Sequence, residues 1–225
     1  MRSQVRAILF GSVPLNQKQI RNLKKNLKIL DSDLIIGIDG GLQLALDFGF
    51  KPDLFVGDED SLPKKSRKSL HAEMWVKLSC EKDRSDLYYA TLKALELGAT
   101  ELVYISVTGG PRLDHHMATL FDLSQFAQGR FGRIKAIEVH GPEGGYYFLS
   151  HKIPVWKATL SPKSIVSVFA MTPEVLGLNL RGFKFRLKNY RLEPHSLGLS
   201  NQVMRQRCEI RIKKGVLLVV VPSLT

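Results

Sequence analysis

A chain of 225 residues, 44% hydrophobic and 24% charged, can bury one large core or two modest ones, and this balance excludes an intrinsically disordered protein. No stretch approaches the roughly 20 apolar residues of a membrane-spanning helix, and residues 1–16 lack the long apolar centre and cleavage site of a signal peptide, so a cytoplasmic protein without a membrane partner is expected. The formal charge of +12 admits a polyanion as partner, whereas Cys80 and Cys208 are too few for a disulfide framework and lack metal-ligand spacing.

In chain order, an apolar run at residues 5–10 predicts a first strand ending at Gly11. Residues 16–30 place Ile20, Leu23, Leu27 and Leu30 at helical spacing. A short run at 34–38 ends at Asp39-Gly40-Gly41, and a helix over 42–48 is closed by Gly49. Residues 54–56 form a strand stub ending at Gly57-Asp58, and 74–78 a further short strand. A helix over 86–97 carries Leu87, Ala90, Ala94 and Leu97 on one face, with Gly98 behind it. A strand over 101–107 runs into Thr108-Gly109-Gly110, followed by a helix over 113–128 and a strand over 134–139. This alternation predicts an α/β fold, a mostly parallel sheet with helices on both faces and ligands at the carboxyl ends of its strands. Every polar cluster of interest follows directly after a predicted strand.

Beyond Gly141 the texture changes. Short strand-like segments at 165–170, 182–187, 208–213 and 216–221 are separated by turn residues near 142–145, 173, 188–189 and 213–215. A smaller all-β sandwich is expected there. The division falls near residue 145, giving domains of residues 1–145 and 146–225.

Charge is distributed unevenly along this order. Residues 1–30 hold seven Lys/Arg and no acid, and residues 151–225 hold thirteen against three, yet residues 31–60 hold eight Asp/Glu against Lys51 alone. Crowding like charges costs free energy, which a bound divalent cation offsets; Asp31, Asp33 and Asp47 read better as solvated surface. The sharpest cluster is Gly57-Asp58-Glu59-Asp60-Ser61, in which Asp58 and Asp60, at i and i+2, can face one cation while Glu59 faces elsewhere. Magnesium takes hard oxygen ligands, usually one or two carboxylates plus phosphates and water. In Glu81-Lys82-Asp83-Arg84-Ser85-Asp86, either Ser85 or Asp83 can cap the helix that follows, with Asp86 in its first turn. A third cluster, Thr108-Gly109-Gly110-Pro111-Arg112-Leu113-Asp114-His115-His116, joins a strand, a glycine pair and a helix start, a geometry suited to anions, with Arg112 able to grip phosphate oxygens. It is neither a Walker loop nor a GxGxxG fingerprint. Neighbouring helical residues point about 100° apart, so His115 and His116 do not suit one metal.

The ordered series Ile38-Asp39-Gly40-Gly41, Gly57-Asp58-Glu59-Asp60-Ser61, Asp83-Arg84-Ser85-Asp86 and Gly110-Pro111-Arg112-Leu113-Asp114-His115 resembles the thiamine pyrophosphokinases. Gly182-Phe183-Lys184-Phe185 and Leu199-Ser200-Asn201 extend the resemblance over nearly the whole chain. Glu59 stands where the family usually has an aromatic, Ser85 where it has Thr, and Phe185 where it has Trp or Tyr. No carboxylate is lost, but the aromatic changes bear on substrate preference. The resemblance implies an α/β ATP-binding domain, a β-sandwich that binds thiamine and mediates dimerisation, and transfer of a pyrophosphoryl group from ATP to thiamine in a homodimer. It implies further that Asp58, Asp60 and Asp86 hold Mg2+, that Asp39, Lys82, Arg112 and Asp114 contact ATP or align the reacting groups, and that Phe185, Ser200 and Asn201 contact thiamine. Asp39 and Asp86 are alternative proton acceptors. A related pyrophosphokinase acting on a pterin-like heterocycle would keep the aspartates and change the C-terminal pocket. A basic nucleic-acid-binding protein on the same fold is disfavoured, because aromatics interleaved with Lys/Arg are sparse outside 183–190; the basic C-terminal segment reads as a solvated sandwich face.

Overall fold

The structure is a computed structural model describing residues 5–58, 75–79 and 83–223. It forms two compact units, residues 1–119 with 139–142 and residues 120–138 with 143–225.

In the first unit β1 (Val5–Phe10), β2 (Leu34–Ile38), β3 (Leu54–Gly57), β4 (Trp75–Lys77) and β5 (Ala99–Ile105) lie in the order β5-β1-β2-β3-β4. All four pairings are parallel. The buried stretches at residues 7–10, 35–38, 54–57 and 102–105 are apolar runs because both faces are covered. On one face Ile8, Phe10, Ile35, Val103 and Ile105 pack with Ile20 of α1 (Gln17–Asn26) and with Leu44 and Ala45 of α2 (Gly41–Asp47). Tyr104, of the opposite parity, meets the other face, where its hydroxyl lies 2.9 Å from that of Thr91 on α3 (Asp86–Glu96). The expected α/β architecture is therefore present.

Helix α1 starts where the sequence places it, with a reciprocal cap: Asn16 Oδ1 accepts from the Gln19 N–H and Gln19 Oε1 from the Asn16 N–H. It stops earlier than residue 30, since Leu27 is already extended. The following turn is organised by Asp33, which accepts from the Leu30 N–H at 2.8 Å and pairs with Arg6. Asp33 is thus buried rather than solvated, because Arg6 neutralises it; Asp31 and Asp47 are exposed as expected. Ser85 caps α3 by accepting from the Tyr88 N–H at 3.2 Å.

The division between the units falls within α4 (Leu113–Ala127) and within β6 (Ala136–Gly141). In the second unit, β7 (Gly144–Ser150), β14 (Val216–Pro222), β9 (Ile165–Ala170) and β12 (Asn201–Gln202) form one antiparallel ladder. A four-stranded antiparallel sheet has the order β11-β10-β13-β8, from β11 (Leu187–Leu192), β10 (Val175–Arg181), β13 (Arg207–Arg211) and β8 (Val155–Thr159). Leu149, Val168, Leu217 and Val219 from the first ladder and Trp156, Leu178, Leu180 and Ile210 from the second share one core, which is the expected β-sandwich. Of the strand expected over 182–187 only Leu187 is in a strand, as the first residue of β11, and residues 182–185 bend around an isolated bridge instead. Gly182, at φ 89°, accepts from both the Met204 and Arg205 N–H groups, and only Phe183 bridges onward, to Val203. The turn expected at 188–189 lies inside β11, where Asn189 takes φ 50° and donates its N–H to Asn179 Oδ1. Among the described residues no helix is long and apolar enough to cross a membrane.

Candidate functional site

The first unit carries a cleft of about 490 Å³ at the carboxyl ends of its strands. Its walls are Gly11–Pro14 behind β1, Ile38 and Asp39 at the end of β2, Ser85–Leu87 at the start of α3, and Ser106, Val107 and Gly109–Arg112 behind β5, with His115, His116, Ala118 and Thr119 from α4. The chain leaves β1 for β2 on one side and later returns to β5 on the other. Connections diverge at such a point and leave a crevice that backbone does not fill.

Asp39 sits at the crevice in the left-handed region, at φ 50°, which Asp tolerates better than bulkier residues. Its N–H donates to Val56 O at 3.1 Å, which ties the ends of β2 and β3 together. A Cβ on Gly57 would fall 2.4 Å from Asp39 Oδ1. Glycine at 57 therefore leaves the space that the carboxylate uses, directly before Asp58. Asp86 occupies the first turn of α3, where the helix dipole favours an anion. Asp39, Asp58 and Asp86 are all half-buried.

Arg112 and Asp114 form a two-pronged ion pair at the start of α4, with Nε to Oδ1 at 2.9 Å and Nη2 to Oδ2 at 2.6 Å. Both are about two-thirds exposed, so the pair adds little stability. The hydrogen bond from Arg112 holds the Asp114 carboxyl well below the usual carboxylate range, and Asp114 raises the guanidinium in turn, first by that bond and then by its charge.

Gly109 and Gly110 both take positive φ, 86° and 78°, and form the expected bend before α4. The Gly109 N–H does not point free into the cleft; it donates to His116 Nδ1 at 3.3 Å. His115 and His116 do not suit one shared metal, and the fold gives His116 the task of anchoring this bend. Ser106, buried at φ 58°, donates its hydroxyl to Val13 O at 2.6 Å and so fixes the loop behind β1. Sequence reasoning missed Ser12, Val13 and Ser106 as site residues. Their one signal was position directly after an apolar strand, with no charged side chain to mark it.

Asp60 and Lys82 lie outside the described residues. Among the described residues no three His, Cys, Asp or Glu side chains converge as a metal cluster. Hard carboxylate oxygens at the ends of β2 and β3 and at the start of α3 nevertheless suit magnesium, which takes few protein ligands when phosphates supply the rest. The space that Gly57 leaves at the Asp39 carboxylate agrees with this donor set.

In the second unit the three residues expected at the organic substrate lie together. Asn201 is 7% exposed, and its side-chain amide spans the backbone of Phe185. Its Oδ1 accepts from the Phe185 N–H at 3.0 Å, and its Nδ2 donates to Phe185 O at 2.7 Å. The Phe185 ring is 63% exposed, with Lys184 Nζ at 5.5 Å from its centroid. Ser200 is exposed at φ 57°, its N–H held by Ser167 Oγ at 3.0 Å.

The profile described as "Thiamin pyrophosphokinase, catalytic domain" matches residues 26–135, and "Thiamin pyrophosphokinase, vitamin B1 binding domain" matches residues 150–217. The chain belongs to the thiamine pyrophosphokinase family. The catalytic profile takes in every described wall of the cleft except the loop behind β1, and the vitamin B1 profile takes in Phe185, Ser200 and Asn201. The thiamine pyrophosphokinase of Bacillus subtilis (strain 168) is 27% identical over 195 residues, 83% of this chain and 86% of that protein. A crystal structure of the Bacillus subtilis thiamine pyrophosphokinase matches the fold with a TM-score of 0.77 at 22% identity, covering 99% of this chain and 100% of that one. The enzyme of Candida albicans matches with a TM-score of 0.71 at 13% identity, over 97% and 90% of the two chains. At such identities the likeness speaks for the fold, and the two family profiles speak for the family. Thiamine pyrophosphokinase activity follows from that membership, and the pterin and nucleic-acid readings are not favoured.

Proposed function

We propose that this chain transfers the pyrophosphoryl group of ATP to the thiamine hydroxyl in the cleft at the carboxyl ends of β1, β2 and β5. The observation that carries this reading is the convergence of Asp39, Asp86, Arg112 and the Gly109-Gly110 bend on one crevice, in a chain of this family. The hydroxyl oxygen bonds to the β-phosphorus of ATP, the bond from that phosphorus to the α-phosphate bridge breaks, and AMP departs. Such transfers depend on positioning and charge neutralisation. Magnesium, when bound, supplies charge neutralisation on the phosphate oxygens, and Asp58, Asp60 and Asp86 are the residues that would hold it. Arg112 and Lys82 align phosphate oxygens from the protein side. Asp39 or Asp86 takes the hydroxyl proton. Asp114 is a poor base because Arg112 keeps it ionised, and it serves by orienting the guanidinium. Phe185 offers its exposed face to the thiamine rings, and Asn201 acts through the backbone it holds. Incubation with ATP, magnesium and a panel of hydroxylated heterocycles should release AMP with thiamine. AMP release with a pterin-like alcohol but not with thiamine would overturn the substrate assignment.

Arg112→Lys should lower kcat/KM by roughly ten- to a hundredfold although the charge is kept, because a single ammonium cannot replace a planar fork on two phosphate oxygens. Steady-state kinetics with varied ATP measure this. Unchanged kcat and unchanged KM for ATP would leave Arg112 as an ornament of the helix start.

We further propose that the working form is a cytoplasmic homodimer in which Asp58, Asp60 and Asp86 of one chain act with Phe185, Ser200 and Asn201 of the other. The exposed ring of Phe185 supports this, since an aromatic of that size gains from a cover. Mixing inactive Asp58→Asn chains with inactive Asn201→Ala chains should restore activity. Each heterodimer would hold one site with both lesions and one with neither. No recovery despite demonstrated subunit exchange would assign each site to a single chain.

A further inference from the structure

The outward face of the β11-β10-β13-β8 sheet carries charge that the reaction above does not use. Along β13, Cys208 and Ile210 point into the sandwich core, so Arg207, Glu209 and Arg211 point outward by the two-residue alternation of a strand. In register, Glu209 stands between Lys157 of β8 and Arg181 of β10, and Arg207 stands beside Thr159. The face therefore sets four cations around one carboxylate. Glu209 is shared by Lys157 and Arg211, each at 3.6 Å. Among the described residues Arg181 and Arg207 enter no ion pair, and both are exposed.

These groups border a hollow of about 470 Å³, lined by Lys157, Thr159, Arg181, Arg207 and Glu209. Neighbouring strands are roughly 4.8 Å apart and alternate residues along a strand roughly 6.7 Å apart. Lys157, Arg181 and Arg207 thus start from backbone positions within about 10 Å of one another, close enough for their long side chains to meet on successive phosphate groups. Like charges so close repel one another, and an anion seated among them relieves that repulsion. We propose that this hollow is a second anion site, for a small molecule bearing a di- or triphosphate chain, held by the Arg181 and Arg207 forks with Lys157 and the Thr159 hydroxyl. The central carboxylate and the three-strand width favour a compact ligand over a nucleic-acid strand, which needs a longer basic track and aromatic faces for its bases. The site shares no residue with the catalytic cleft.

Inorganic tripolyphosphate, titrated into the ¹⁵N-labelled full chain, should shift the backbone amide resonances of Lys157–Thr159, Arg181 and Arg207–Glu209. Arg181→Gln/Arg207→Gln should weaken that response at least tenfold, while shifts at Gly109 and Gly110 of the cleft persist. Glu209→Gln should strengthen it severalfold, because the substitution removes the one carboxylate that opposes an anion. Titrations with ADP and with thiamine diphosphate then separate a nucleotide from the reaction product as the source of the phosphate chain. Shifts confined to the cleft, or Glu209→Gln binding no better than the natural chain, would overturn the site. An oligonucleotide that displaces tripolyphosphate from these amides, with affinity rising with its length, would overturn the small-ligand assignment in favour of a polymer.

Discussion

Asp58→Asn is expected to cut kcat more than tenfold, a loss above about 1.4 kcal/mol in transition-state stabilisation, with the fold intact. Asp60→Asn and Asp86→Asn should do the same. Asparagine keeps the volume but removes the charge that a magnesium ligand must bring, and phosphoryl-type transfer tolerates the loss of such charge poorly. Asp58 leaves β3 directly after Gly57, whose missing side chain gives room to the Asp39 carboxylate. Asp86 opens α3 on the cleft wall. The measurement is kcat at saturating ATP, magnesium and thiamine, with thermal unfolding as the control. A variant that keeps more than roughly a tenth of the natural rate shows that its residue is not a required ligand.

Gly41→Ala is expected to destabilise the first unit by about 3 kcal/mol or more, at the upper end of ordinary overpacking. A Cβ at residue 41 would lie 1.9 Å from Phe10 O and 2.5 Å from its carbonyl carbon. Those atoms belong to the backbone of β1, in the centre of the parallel sheet, and cannot swing aside as a side chain would. Helix α2 would have to lift off the sheet, taking Leu44 and Ala45 out of their cluster. Gly40→Ala is the matched comparison: its Cβ would lie 3.2 Å from Ser12 Cβ and 3.9 Å from Ser12 Cα. Denaturant melts should therefore place Gly41→Ala far below the natural chain and Gly40→Ala close to it. Equal midpoints for the two variants would remove close helix–strand packing as the reason for glycine at 41.

The two predictions rest on different kinds of information. Asp58 and Asp60 drew attention in the sequence as two carboxylates one residue apart after an apolar run, and the resemblance to the family is what assigns them to a metal. Gly41 drew attention only as part of a motif. That its hydrogen is the largest group the site admits depends on how closely α2 approaches β1. The same contrast holds in the second unit. A strand over 182–187 is what the local pattern suggests, yet Phe183, 2% exposed, makes only an isolated bridge and Phe185, 63% exposed, lies outside any strand. Gly182 accepts two N–H groups from the segment after β12, and that long-range contact, invisible in a local window, turns the chain.

What the sequence determined by itself was the alternation of strand and helix and the change to short strands beyond Gly141. These follow from hydrophobic periodicity and from turn residues between the segments, both local properties. Tertiary structure alone decided that Asp33 is buried against Arg6 rather than solvated, and that Asn201 spends its amide on the Phe185 backbone. It also decided that His116 anchors the Gly109 bend, and that among the described residues Arg181 and Arg207 form no ion pair beside Glu209. Each of these depends on residues brought together by sheet register or by the approach of two loops. A polar side chain's role is set by the partner it meets, and the partner's distance along the chain carries no trace of that meeting.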